Sequence, residues 1–279
     1  MTRRLWTLLL CSHPEPVLAV TVVATLLSIM AGRGAGTLWV TSAVLSGQLA
    51  IGWQNDWIDR GRDSSQSRSD KPLARGAIGP GAVRLASALA LVICVPLSFG
   101  SSAPSAAVHL IAVAVAMTYN VALKSTWLSA VPFVVSFGLL PAVVTLGLPG
   151  EPWPPLWLLA AGATLGAAAH FVQVLPDIPR DREAGIRGLP QRLGQRGSIL
   201  AALILMSLCD LAVAIGLGLE SWRGWTGLGL GALMVVAVAT SSWETNPKLT
   251  LRLLMVFAAL AVVGLLLAGV GGSDPLSAS

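Results

Sequence analysis

Nine apolar segments dominate this chain, and each is close to the roughly 20 residues that a helix needs to cross a bilayer. They cover residues 15–32, 36–54, 82–100, 104–122, 127–148, 154–175, 198–218, 223–241 and 250–270. Only 11% of the residues are charged, whereas a soluble domain has about 25%. We therefore predict an all-α integral membrane protein, in which residues 1–279 form a single polytopic bundle of about nine transmembrane helices.

The basic residues indicate how this bundle is oriented. If the N-terminus lies inside, all of the 18 lysines and arginines except Arg33 and Arg223 fall on the inner side. Basic loops are retained in the cytoplasm, so we predict a cell-membrane protein with a cytoplasmic N-terminus. The first residues lack the apolar core and cleavage site of a signal peptide, and are interpreted as the mature start. Because the basic residues flank apolar spans, the net charge of +5 does not suggest a nucleic-acid partner.

Two inner loops, residues 55–81 and 176–197, carry most of the acidic side chains. Asp56, Asp59 and Asp63 are spaced i, i+3 and i+7, so a helix would place them on one face. Carboxylates packed so closely repel one another unless a cation lies between them. Oxygen ligands of this kind suit Mg²⁺, which usually bridges to substrate phosphates.

A second acidic pair, Asp177 and Asp181, follows the sixth span on the same predicted side of the membrane. We interpret the two clusters as halves of one metal–diphosphate site. The basic residues best placed to bind the diphosphate are Lys71, Arg75, Lys124, Arg180 and Arg182. Each of these could equally be a positive-inside anchor, and both loops could be solvated charged surfaces. The shared face of the first cluster, at the very end of a span where charge is costly, favours the site.

Several residues at a similar depth are candidates for a substrate pocket: Trp53, Asn55, Tyr119, Asn120, His170 and Gln173. Tyr119 precedes Lys124 by five residues, and interfacial anchoring is the alternative for it. His170 and Gln173 lie three residues apart within a span, so we expect both to face the bundle interior, where they contact either substrate or a neighbouring helix. Aromatic rings that could stabilise a carbocation are those of Trp53, Trp57, Phe133, Phe137 and Phe171.

These motifs resemble those of the UbiA superfamily of intramembrane prenyltransferases. The pattern N-D-x-x-D-x-x-x-D at residues 55–63 matches the first motif of that family in full. Asp177-x-x-x-Asp181 is similar to the second motif, and the Y-x-x-x-x-K element is matched at Tyr119 and Lys124. The resemblance extends over nearly the whole chain.

The resemblance implies two Mg²⁺ ions, one bound by Asn55, Asp56, Asp59 and Asp63 and the other by Asp177 and Asp181. Asp56, Asp59, Asp177 and Asp181 would carry catalysis, and Lys124 with neighbouring arginines would hold the diphosphate. It also implies an active site on the cytoplasmic side and a lateral, lipid-facing tunnel for the prenyl tail. Pro179 cannot donate to the carbonyl four residues back, so the helix should kink or restart beside Asp177.

The favoured function is Mg²⁺-dependent ionisation of an allylic prenyl diphosphate and transfer of the prenyl group to an aromatic or lipid-like acceptor in the membrane. An aromatic acid would require a basic residue on the pocket floor, and no span interior carries a lysine or arginine. The candidate polar residues are few: His13 and Glu15 at the start of the first span, His109 and His170. A terpene cyclase of this fold, which quenches the cation intramolecularly, therefore stays open. A transporter or lipid carrier fits less well, because its acids would lie near mid-membrane.

Overall fold

The protein is an all-helical bundle in a computed structural model that describes residues 2–66, 68–240, 246, 249–253 and 255–256. Within these residues there is no strand, and the α-helices are α1 (Thr2–Leu10), α2 (Pro14–Met30), α3 (Gly36–Ser65), α4 (Pro80–Phe99), α5 (Ala103–Thr118), α6 (Val131–Thr145), α7 (Leu156–Val174), α8 (Ile178–Glu183), α9 (Leu189–Leu217) and α10 (Trp222–Thr240). A π-helical turn, Tyr119–Leu123, continues α5, and a 3₁₀ turn, Leu175–Asp177, joins α7 to α8.

The first eight predicted spans each coincide with one helix, α2 to α7 and then α9 and α10. Of the ninth, 250–270, the structure describes only residues 250–253 and 255–256, and Lys248 among the predicted inner basic residues lies outside the described residues. By length and apolarity, five described helices can cross a membrane, or six if α1 and α2 form one bent span. The all-helical membrane fold is confirmed, whereas the count of nine spans stays a prediction.

Small residues let the central helices approach one another closely, as is common in membrane bundles. In α7, a Cβ at Gly162 would lie 2.4 Å from the carbonyl oxygen of Phe137 in α6, and one at Gly166 would lie 2.5 Å from that of Phe133. Any larger residue at either glycine would force the two helices apart. Large apolar side chains cover the outer faces instead; Leu156, for example, is 82% exposed.

The junction between α1 and α2 presses against α3. The two helices bend by 73°, and the carbonyl oxygen of Ser12 lies only 2.1 Å from where a Cβ of Gly52 would be. His13 at this bend adopts a left-handed backbone conformation, with φ 58° and ψ 68°. The bend therefore places the start of α2 one turn of α3 away from Asp56.

The helix after the sixth predicted span restarts where the sequence predicts. α7 ends at Val174, the 3₁₀ turn contains Asp177, and α8 begins at Ile178. Pro179 occupies the first turn of α8, where a missing N–H costs little because such groups have no intrahelical partner. The expected interruption near Pro179 is confirmed.

Candidate active site

The three aspartates of α3 share one buried face, as their spacing predicts. Asp56, Asp59 and Asp63 are 2%, 5% and 2% exposed, respectively. Buried carboxylates are tolerated only when they are paired or hydrogen-bonded. The side chains around them therefore define the chemistry of this site.

Lys71 bridges the two outer aspartates of this face. Its Nζ lies 3.0 Å from Oδ1 of Asp56 and 2.8 Å from Oδ2 of Asp63. Burial favours the neutral form of Lys71, but the charges of Asp56 and Asp63 outweigh burial and raise its pKa above the ordinary value. A single ammonium group thus occupies the space between two carboxylates.

The central aspartate, Asp59, is paired with Lys124 and Arg62. Arg62 lies one turn along α3 and approaches Oδ2 of Asp59 to 2.7 Å, and Lys124 reaches the same oxygen from the π-helical turn after α5. Residues five apart on an α-helix point about 140° away from each other. In the wider π turn, the amide of Lys124 donates to the carbonyl of Tyr119 at 3.0 Å, so the Y-x-x-x-x-K element spans one π-helical hydrogen bond.

Asp56 has a further partner from outside both predicted loops. Nε2 of His13 lies 2.9 Å from Oδ1 of Asp56, the same oxygen that Lys71 contacts. Burial raises the pKa of Asp56, but the hydrogen bonds and charges of His13 and Lys71 outweigh burial and hold it below the ordinary value. Asp56 is therefore a carboxylate, and His13 is a donor to it.

Arg68 connects the two acidic loops. Its guanidinium binds both carboxylate oxygens of Asp70, at 2.8 and 2.9 Å, and Oδ1 of Asp177 at 3.0 Å. The hydrogen bond from Arg68 lowers the pKa of Asp70 to about 2. Gln66 strengthens the junction through a 3.1 Å hydrogen bond to the carbonyl of Arg180. The loops 55–81 and 176–197 thus lie against each other.

The two aspartates of the second cluster have different surroundings. Asp177 is partly exposed and paired with Arg68, whereas Asp181 is 7% exposed and accepts a 2.7 Å hydrogen bond from Nε2 of Gln191. Gln191 belongs to α9, and its backbone carbonyl accepts from Arg182. A polar anchor in α9 therefore holds one acid of this pair.

The chemistry of the donor set fits a hard divalent cation. As the side chains lie, no three of the described His, Cys, Asp and Glu residues converge on one point, because lysine and arginine groups separate the carboxylates. One oxygen, Oδ1 of Asp63, is buried without a hydrogen-bond partner among the described residues, with Arg62 at 3.7 Å. Clustered carboxylate oxygens are the ligands that Mg²⁺ prefers. Metal binding at this face requires the cationic side chains to move aside.

A polar stripe on α3 continues from the aspartates toward the bundle interior. Gln48, Asn55 and Asp59 lie within about 40° of one another around the helix. The amide of Asn55 donates to Asn120 at 3.0 Å, so its nitrogen is directed to the π turn and away from the aspartates. Beyond this pair is a cavity of about 40 Å³ whose polar lining residues are Gln48, His109 and Ser136.

Aromatic rings surround the π turn. The ring of Tyr119 makes edge contacts with Phe133 at 5.2 Å and His170 at 5.5 Å, and Phe133 stacks on Phe137 at 6.5 Å between centroids. His170 is 1% exposed, and its Nε2 lies 3.1 Å from Oγ of Ser129. The structure thus brings Tyr119 and His170 together with all three of the predicted phenylalanines.

Several predicted pocket and diphosphate residues lie elsewhere. Trp53 is a core residue, since it is 8% exposed, packs with α1 and α4 and donates to the carbonyl of Leu8 at 2.8 Å. Gln173 is exposed and has no hydrogen bond within the described part of the chain, so the prediction that it faces the bundle interior is wrong, whereas His170 is buried as predicted. Three residues that were predicted to bind diphosphate are exposed, and no described acid contacts them: Arg75, Arg180 and Arg182.

Four residues contact the aspartates although none was predicted to do so: His13, which was named only as a candidate for the acceptor pocket, Arg62, Arg68 and Gln191. For Arg62 a signal exists, because it follows Asp59 by three residues and so shares its face of the helix. The other three reach the aspartates across a bend or a loop, and their contacts depend on the fold. Spacing along the sequence gives no sign of them.

The sequence of this chain is similar to those of known proteins. The model of the UbiA prenyltransferase family matches residues 5–261. Digeranylgeranylglyceryl phosphate synthase of Halobacterium salinarum is 28% identical over 246 residues, which is 84% of each chain.

Two solved structures share the fold over most of their length. A UbiA homologue from Aeropyrum pernix K1 has a TM-score of 0.75 at 18% identity, covering 91% of this chain and 98% of that one. A UbiA homologue from Archaeoglobus fulgidus, bound to GPP and Mg²⁺, has a TM-score of 0.72 at 14% identity, covering 94% and 99%.

Proposed function

Because the chain belongs to the UbiA prenyltransferase family, we propose that it ionises an allylic prenyl diphosphate with Mg²⁺ and transfers the prenyl group to an acceptor in the membrane. The observation that carries the proposal is the buried face of Asp56, Asp59 and Asp63, held by Lys71 and Lys124. The Archaeoglobus homologue solved with GPP and Mg²⁺ supports the choice of substrate and metal.

Two metal positions follow from the acids. Asn55, Asp56, Asp59 and Asp63 would hold one ion, and Asp177 and Asp181 would hold the second. Mg²⁺ bound there would neutralise the charge that builds up on the departing diphosphate. Arg68 lies between the two groups, and its contacts with Asp70 and Asp177 keep the second cluster beside the first.

The cationic side chains would pass from the aspartates to the substrate. Lys71 and Lys124 now occupy carboxylate oxygens. If those oxygens held a metal ion, the two ammonium groups would be free to donate to diphosphate oxygens. Such charge-assisted hydrogen bonds are among the stronger ones, and they stabilise the leaving group as its charge develops.

The rings beside the π turn would face the prenyl group. The C1–O bond breaks heterolytically, its electron pair leaves with the diphosphate, and the cation is stabilised by the ring faces of Tyr119 and Phe133. The acceptor hydroxyl would then attack C1 and pass its proton to the departed diphosphate. The tail would extend along the stripe toward Gln48. Since a cavity of about 40 Å³ holds only a few waters, side chains there must move to admit it.

For the acceptor, we propose a lipid-like alcohol in preference to an aromatic acid. His109 and His170 are buried against serine hydroxyls, at 2.8 and 3.1 Å, and no acid among the described residues pairs with either. Burial without an acidic partner disfavours the charged imidazole that would bind a carboxylate. The name of the Halobacterium relative describes a lipid product. The aromatic cluster around Tyr119 also suits intramolecular quenching of the cation, so terpene cyclisation is the second candidate.

The placement in the cell follows the positive-inside pattern. We propose that both acidic loops, 55–81 and 176–197, face the cytoplasm from one domain in the cell membrane, and that the prenyl tail enters sideways from lipid. No contact with nucleic acid is expected.

The test measures diphosphate release from prenyl diphosphates of C10 to C25 by purified protein with a membrane-lipid extract. We expect Mg²⁺-dependent release by the wild type, and loss of at least about 100-fold in Asp59→Asn, because the metal loses a charged ligand. Asp210→Asn is the matched control, since Asp210 is also buried but lies in α9, outside both acidic loops. Equal release by wild type and Asp59→Asn would refute the assignment.

A further inference from the structure

His13 has an unusual combination of backbone strain and contact with the site. It is one of two non-glycine residues with positive φ among the described residues, a conformation that costs energy in any residue with a Cβ. A strained residue persists when its surroundings fix it. Here the side chain of His13 is bonded to Asp56 and its backbone connects the bend to α2.

The close packing of the bend is what brings His13 within reach. The carbonyl of Ser12 packs against the backbone of Gly52, where a Cβ would lie only 2.1 Å from the carbonyl oxygen. Asp56 lies four residues further along α3, one helical turn above this contact. The glycine, the bend and the left-handed His13 together fix a donor at 2.9 Å from Oδ1 of Asp56.

Lys71 and His13 bind the same carboxylate oxygen but differ in what they can do next. Lys71 also contacts Asp63, and it lies in the loop that follows α3, so it can leave Asp56 for an anionic substrate. His13 belongs to a separate element, the start of α2, and among the described residues Asp56 is its only acidic contact. When Lys71 moves, His13 is the partner that stays on Asp56.

We propose that His13 is a positioning residue, which holds Asp56 in the orientation that ligates Mg²⁺. The inference rests on the proposed function, because it takes Asp56 as a metal ligand. Partners of metal-ligating carboxylates orient the ligand, and losing one typically weakens metal affinity about 10–100-fold. His13 acts through Asp56 and does not touch the substrate.

Three variants of His13 separate the role of its side chain from that of its backbone. His13→Gly suits the positive φ but removes the donor, whereas His13→Gln places an N–H about as far from the backbone as Nε2. His13→Asn also tolerates the left-handed conformation, but its amide is too short to reach Asp56. Glu15→Gln is the control, because Glu15 is close in sequence, exposed, and paired with Arg252 at 2.7 Å.

The experiment measures binding of Mn²⁺, as a probe for Mg²⁺, by electron paramagnetic resonance of the ligand-free full-length protein. We expect His13→Gly and His13→Asn to bind Mn²⁺ about 10–100-fold more weakly than wild type, and His13→Gln and Glu15→Gln to bind within about threefold. The Mg²⁺ concentration for half-maximal diphosphate release should rise in the same order, with kcat at saturating Mg²⁺ retained.

Wild-type affinity in His13→Gly would overturn the inference while leaving the proposed function intact. Reduced thermal stability in all three His13 variants with unchanged Mn²⁺ affinity would likewise overturn it, by showing a purely structural bond. Absence of Mn²⁺ binding by the wild type would refute the proposed metal site itself, and this inference with it.

Discussion

Replacing Lys71 by methionine removes the bridge between two buried carboxylates while keeping the length of the side chain. Lys71 is 13% exposed, and Asp56 and Asp63 are each 2% exposed. Breaking a buried ion pair by removing one partner costs about 3–5 kcal/mol. Because Lys71 keeps some contact with solvent, we take the lower end, about 3 kcal/mol. At about 2–3 °C per kcal/mol, this lowers the denaturation midpoint by about 6–9 °C.

Magnesium should reverse much of this loss if the aspartates bind it. A ligand at 100 times its dissociation constant stabilises the folded state by about 2.7 kcal/mol. In the variant, no ammonium group competes for Asp56 and Asp63, so a given Mg²⁺ concentration should give a larger gain than in wild type. The difference in midpoint between the two proteins should therefore narrow as Mg²⁺ is added.

The chain carries its own reporter for this assay. Cys11, Cys94 and Cys209 are buried, so a thiol-reactive fluorophore labels them only as the protein unfolds. Arg75→Met is the matched control, because Arg75 lies in the same loop but is exposed and should alter neither midpoint nor Mg²⁺ response. A Lys71→Met midpoint equal to wild type, or a deficit that saturating Mg²⁺ leaves unchanged, would refute the reasoning.

Three further predictions follow from single contacts. Gln191→Leu removes the donor to buried Asp181 and should raise the half-saturating Mg²⁺ concentration for diphosphate release about 10–100-fold; a change below about twofold would contradict this. Trp53→Phe keeps an aromatic ring in the core but loses the hydrogen bond to the carbonyl of Leu8, so it should lower the free energy of unfolding by about 1 kcal/mol. The kcat/KM for prenyl diphosphate should not change; a tenfold fall would show that Trp53 lines the substrate pocket. The pKa of Asp70 is about 2, below its ordinary value of 3.8. The contribution of Asp70 to stability is therefore fully present at pH values above 3.8 and is lost as the pH falls through 2. The midpoint difference between wild type and Asp70→Asn should be constant from about pH 5 to 8 and shrink below about pH 4; a difference that changes between pH 5 and 8 would contradict the assignment.

Helical periodicity explains which parts of the site the sequence could predict. The spacing of Asp56, Asp59 and Asp63 fixes them on one face of any regular helix, and the structure has them there. Trp53 has a similar depth in the membrane but lies about 120° around α3 from Asp59, so it packs into the core. The prediction for Trp53 was based on its depth and its aromatic ring, and neither defines which face of the helix the residue occupies.

Contacts made across bends and loops could not be predicted in this way. His13 reaches Asp56 because Gly52 admits a neighbouring backbone, and Lys124 reaches Asp59 because a π turn replaces an α turn. Neither feature has a period in the sequence. The contact between Gln191 and Asp181 has no sequence signal either, because only the fold of the second loop brings the two residues together.

The central claim, allylic ionisation at the aspartate face, is tested most directly by the choice of substrate. Geranyl diphosphate and its analogue saturated between C2 and C3 have nearly the same size and the same diphosphate, but only the first can form an allylic cation. With Mg²⁺ and a membrane-lipid extract, we predict diphosphate release from geranyl diphosphate and none above background from the analogue. Equal diphosphate release from geranyl diphosphate and its analogue would contradict the claim. Absence of release from every prenyl diphosphate of C10 to C25 would contradict it as well.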